Sequence, residues 1–131
     1  MEKLYVVTKK GIQSKDVGCT EDIIRKISTK EALEELVERM PYIQTIQASN
    51  AKSRKELYEL SMSEYDDLEW VKVIKSVYLR MEDHHYEDFE PEYAERAKHF
   101  LYGEFSIRFN IHFEEVESFL NKIIEKQLEE F

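Results

Sequence analysis

Between Asp66 and Leu128 three apolar stripes recur at helical spacing with short connections between them, which leaves the chain few ways to fold. The first runs through Leu68, Val71, Ile74, Val77, Tyr78 and Met81; the second through Ala94, Ala97, Leu101, Phe105 and Phe109; the third through Val116, Phe119, Leu120, Ile123 and Ile124. Steps of three and four put each set on one face of a 3.6-residue helix. Amphipathic helices this close in sequence bury their stripes on one another or on a partner. Composition bears on the choice at one point: 3 Gly and 2 Pro in 131 residues are too few for a loop-rich sandwich.

Two further helices are predicted upstream. Ser28-Thr29-Lys30-Glu31 has the pattern of a capping box, with the Ser28 hydroxyl over the first turn and Glu31 reaching back. The helix it opens buries Ala32, Leu33, Leu36 and Val37 and stops by Met40, because Pro41 disfavours helical geometry in the residue before it. A second helix is expected over 50–62, capped by Asn50, with Leu57, Tyr58 and Leu60 inward. The third covers 67–81, its acidic start suiting the helix dipole. Residues 82–90 read as an acidic loop, and Pro91 as the first residue of a fourth helix, where its missing N–H is no loss. That helix stops near Phe109, since Asn110 tolerates the left-handed conformation, and a fifth starts at about Phe113. Residues 3–8 (KLYVVT) are β-branched and aromatic and predict a short strand, with no evident partner. The expected fold is all-α: a compact bundle of about five helices over 21–131, with a short N-terminal strand or extended arm over 1–20.

Charge is unevenly placed. Residues 1–65 carry 11 Lys/Arg against 11 Asp/Glu, whereas residues 66–131 carry 8 against 17 and account for the whole net charge of −9. Phosphate repels such a domain unless its cations gather on one face. The single Cys19 forms no internal disulfide, which fits a reducing compartment. No apolar run reaches the roughly 18 residues of a membrane span. The start MEKLYVVTKK is too short and polar for a secretory signal. The expectation is a cytoplasmic protein with no membrane partner.

The run Trp70-Val71-Lys72-Val73-Ile74-Lys75-Ser76-Val77-Tyr78-Leu79-Arg80, followed by Ala97-Lys98-His99-Phe100-Leu101-Tyr102-Gly103-Glu104 and a final acidic helix, resembles the C-terminal helical domain of CarD-like transcriptional regulators. Upstream, IRKISTKEALEEL (residues 24–36) resembles the segment entering that domain, and SRKELYEL (residues 53–60) its Arg- and Tyr-bearing helix. The resemblance covers about residues 21–127 and lies in the order and spacing of these motifs rather than in any one of them. It implies a transcription regulator whose helical domain contacts promoter DNA at the upstream edge of the transcription bubble, helped by a tryptophan and basic residues. An N-terminal Tudor-like domain of the family binds the β subunit of RNA polymerase. This chain departs from the pattern twice. About 20 residues precede the helical part, too few for that β domain. The position of the wedge tryptophan corresponds to Ala51, and Trp70 is not its equivalent, so insertion of an apolar wedge between bases does not carry over.

The candidate nucleic-acid contacts are Lys52, Arg54, Lys55, Lys72, Lys75 and Arg80. If the second and third helices lie side by side, these six cations line one surface and meet phosphates. Arg54, Lys72, Lys75 and Arg80 are the foremost, because the resemblance points to them as well. The alternative is an ordinary solvated surface in which they pair with Glu56, Glu59 and Glu69, leaving a protein-interaction module without DNA binding. Tyr78, Tyr102, Phe105 and Phe109 read as core, Trp70 as half-buried, and Gly103 as a close helix–helix approach. Phe100, Phe119 and Phe131 are either core or surplus apolar area at a homo-oligomer contact. His84 and His85 with Glu82, Asp83, Glu87 and Asp88 lack the defined spacing of a zinc site and read as a solvated loop. Cys19 has no nearby histidine to activate it, and no Gly-rich phosphate loop is present. No enzyme and no cofactor is expected.

Overall fold

The computed structural model describes residues 3–19 and 21–129, with side chains as far as Lys126. Three strands come first: β1 (Lys3–Thr8), β2 (Gly11–Asp16) and β3 (Arg25–Lys26). Five helices follow: α1 (Lys30–Arg39), α2 (Ala51–Ser63), α3 (Asp67–Glu82), α4 (Phe89–Phe109) and α5 (Val116–Glu129). Short 3-10 turns at Met40–Tyr42 and Phe113–Glu115 precede the α2 connection and α5. Phe131 lies outside the described residues. The all-α expectation is thus corrected: the chain is predominantly helical, with a small antiparallel sheet in the order β2-β1-β3.

The predicted strand at KLYVVT is β1, and its partner is β2, paired from Lys3 opposite Asp16 to Thr8 opposite Gly11. A tight turn joins them. Gly11 adopts φ 126, open to glycine alone at little cost. Thr8 holds the turn by donating its hydroxyl to the Gly11 carbonyl at 3.0 Å and accepting from the Lys10 amide at 3.1 Å.

Two compact units divide the chain: Met1–Glu38 with Tyr102–Phe131, and Arg39–Leu101. In the first, Val6, Val7, Leu33, Phe105 and Val116 are all but closed to solvent. A Cβ at Gly103 would stand 2.7 Å from Ile12 Cγ1, so the glycine admits a strand against α4 rather than a second helix. Glu104, next along α4, is buried and accepts from Arg25 Nη1 and from the Ser28 amide, each at 2.8 Å. Arg108 donates to the Ser28 carbonyl at 2.7 Å. With the Ser28 backbone tied to α4 on both sides, α1 is capped by Thr29, whose hydroxyl accepts from the Ala32 amide at 3.1 Å. The expected Ser28 cap is corrected accordingly, and Ala32 is exposed rather than inward. Asn110 ends α4 in the left-handed conformation, at φ 53. Phe109 and Phe119 pack with their rings tilted at 50° and centroids 5.2 Å apart, both half-buried.

In the second unit Asn50 caps α2 as expected, accepting from the Ser53 amide at 2.8 Å. Trp70 is fully buried, not half-buried, and stacks on Phe100 at 5.0 Å. Phe100 is therefore core. The buried face of α3 centres on Trp70, Val73 and Val77, which turns Tyr78 and Met81 outward at 60% and 40% exposure and corrects their assignment to the core. Leu60 also faces out, at 62% exposure. Between α2 and α3, Tyr65 turns the chain at φ 50 and packs edge-on against Phe100 at 5.7 Å. Helix α4 starts at Phe89, two residues ahead of Pro91, which sits in the first turn where amides lack intrahelical partners anyway. Among the described residues no helix is long and apolar enough to cross a membrane.

Candidate nucleic-acid interface

All six candidate cations lie in the second unit. Helices α2 and α3 do pack side by side. The cations nevertheless do not share a face. Arg54, only 5% exposed, turns inward from α2 and places Nε 3.2 Å from Glu90 Oε1. Arg80 reaches the same carboxylate from α3, its Nε 3.0 Å from Oε2. Tyr58 donates its hydroxyl to Oε2 at 2.7 Å, and the Glu87 amide donates to Oε1 at 3.1 Å. Glu90 itself is fully buried in the first turn of α4. One carboxylate thus ties α2, α3 and the start of α4 together.

The electrostatics follow from that geometry. Burial alone would raise the Glu90 carboxyl, but the Glu87 amide, the Tyr58 hydroxyl, Arg80 and Arg54 together hold it below its ordinary value of 4.5. Burial and the neighbouring carboxylate push the Tyr58 hydroxyl far up, which keeps it a hydrogen-bond donor. A buried carboxylate between two guanidinium groups and a phenol is stable because every partner is present; removing one leaves an uncompensated charge in a low-dielectric site.

Half-buried Lys75 is also committed within the fold. Its ammonium donates to the carbonyls of Met40 and Pro41 at 3.1 Å each and of Ile43 at 2.7 Å, closing the 3-10 turn that follows α1. Burial lowers its pKa. Beside it on α3, the Ser76 hydroxyl accepts from the Ile46 amide at 2.8 Å, so the same helix holds the segment after the turn. Lys72 pairs with Glu69 one turn back, Nζ to Oε2 at 3.1 Å. Only Lys52 and Lys55 face solvent, and Lys55 lies over the Phe89 ring at 5.7 Å. Of the six candidate cations, Arg54, Lys75 and Arg80 turn their charged ends to partners within the fold.

Glu90 is the residue that sequence reading missed. It stands in the acidic run EDHHYEDFE, where a carboxylate reads as solvated, and only the fold brings Arg54 and Arg80 around it. Residues 82–88 of that run are exposed, and Phe89 is half-buried. Among the described residues no cluster of three His, Cys, Asp or Glu side chains could hold a metal ion. Cys19 is half-buried beyond β2, its amide bonded to the Asp16 carbonyl at 3.0 Å.

No family model and no curated protein matches this chain.

Proposed function

We propose that the chain is a non-enzymatic, cytoplasmic interaction module of the CarD-like helical type, one that acts on the transcription machinery by protein–protein contact rather than by holding promoter DNA. The observation that carries this reading is the commitment of Arg54 and Arg80 to buried Glu90 and of Lys75 to three backbone carbonyls. A guanidinium that leaves a buried carboxylate to meet a phosphate abandons a charge in the interior, at a cost of about 3–5 kcal/mol. A phosphate contact by Arg54 or Arg80 would have to overcome that cost, in a chain whose net charge is −9. RNA polymerase or a protein bound to it is the partner class the resemblance suggests.

Fluorescence anisotropy with forked promoter DNA at low salt tests the reading. The expected result is no saturable binding, or weak binding that disappears on charge reversal of Lys52 and Lys55. Binding that is tight, salt-resistant and insensitive to those two lysines would overturn it.

A further inference from the structure

A shallow groove of about 330 Å³ lies within the second unit, with α2 on one wall and the segment around Ile46 on the other. Leu57 and Leu60 give its apolar surface, and Leu60 is 62% exposed, a large apolar side chain presented to solvent on a helix. Lys72 and Glu69 line it and neutralise each other, which leaves Glu64 as its uncompensated charge among the described residues. The opposite wall is the segment of residues 44–47, which includes the apolar Ile46. Among the described residues the peptide groups of Gln44, Thr45 and Gln47 join no backbone ladder, although Lys75 and Ser76 pin the residues around them to α3.

These features together describe a receptor for extended chain. Main-chain groups held in place and left unpaired bind a strand by backbone hydrogen bonds, and an adjoining apolar surface takes alternate side chains. An open groove suits a peptide lying across it better than a small molecule, whose sites enclose most of the ligand. We infer that this groove docks an extended segment of a partner protein carrying an apolar side chain against Leu57 and Leu60 and a neighbouring Lys or Arg against Glu64. Glu64 fixes the sign of the partner: an acidic segment would meet it without compensation and approach an acidic chain. This rests on the protein-interaction reading above and names the surface and the chemistry it recognises.

The test uses a fluorescein-labelled peptide of alternating leucine and lysine, titrated with the full chain. Its leucine–glutamate counterpart is the control. The leucine–lysine peptide is expected to bind saturably and the acidic one not at all. Leu60→Gln on α2 and Glu64→Lys just past its C-terminus, both at exposed positions and checked for intact folding by circular dichroism, should each weaken binding about tenfold, equivalent to roughly 1.4 kcal/mol. Glu92→Lys, which makes the same charge change on the exposed surface of α4, should change affinity less than about twofold. Equal weakening by Glu92→Lys and Glu64→Lys would reduce the binding to net-charge attraction and overturn the inference. So would indifference to Leu60→Gln, or no binding of the basic peptide. If the peptide fails and promoter DNA also fails to bind, only the groove assignment falls. If DNA binds tightly, the wider reading falls whatever the peptide does.

Discussion

At Glu90 four donors meet one carboxylate: Arg54, Arg80, the Tyr58 hydroxyl and the Glu87 amide. Replacing it with glutamine preserves the volume and removes the charge, leaving Arg54 buried without its counter-ion. Glu90→Gln is expected to lower stability by about 3–5 kcal/mol, measured by urea unfolding at neutral pH. The same residue sets a pH dependence. Its folded pKa lies below the ordinary 4.5, so its stabilising effect is present above that value and is lost as pH falls through the folded pKa. Wild-type stability should decline on acidification below about pH 4.5, and the decline should be smaller in Glu90→Gln; identical slopes would show that other carboxylates govern acid unfolding.

Elements were legible in sequence wherever a local signal sufficed, and the caps show this best. Asn50 was readable as the start of α2 and Asn110 as the end of α4, because each acts on backbone within a few residues. Asn50→Ala should lower the urea midpoint by the equivalent of about 1 kcal/mol, the usual worth of such a cap. Ser28 misled for the opposite reason: its backbone is claimed by Glu104 and Arg108, far away in sequence, so Thr29 became the cap. Strand β2 was hidden because GIQSKD has no alternation of apolar and polar residues; its pairing comes from β1 and the turn at Gly11. The sequence marks Gly103 as a close approach, but which element approaches is a tertiary fact. Gly103→Ala would gain about 1 kcal/mol of helix propensity. Its methyl would still overlap Ile12, and overpacking costs about 1–3 kcal/mol. The variant should be neutral to destabilised, and adding Ile12→Ala should restore the propensity gain; a double-mutant cycle with no coupling would contradict the contact.

Across the whole chain, a count of cations was the wrong quantity, because what matters is where their charged ends go. The sequence shows six Lys and Arg residues in two neighbouring helices, and those helices are indeed adjacent. It does not show that a lone glutamate in an acidic stretch will draw two of them inward, or that backbone carbonyls will take a third. Reversing Lys52 and Lys55 to Glu should leave stability within about 0.5 kcal/mol, as expected for exposed positions. Reversing Lys75 should destabilise the chain by more than about 2 kcal/mol, since it places a carboxylate against three carbonyls. Thermal unfolding of the two variants side by side checks the contrast.

The tether that Lys75 and Ser76 throw to the stretch at Met40–Ile46 has a dynamic consequence. Past the 3-10 turn at Met40–Tyr42, the Ile46 amide is held by the Ser76 hydroxyl, so it should exchange with solvent only when α3 lets the segment go. Hydrogen–deuterium exchange would then report both as one cooperative foldon, and a ligand seated on either would slow the other.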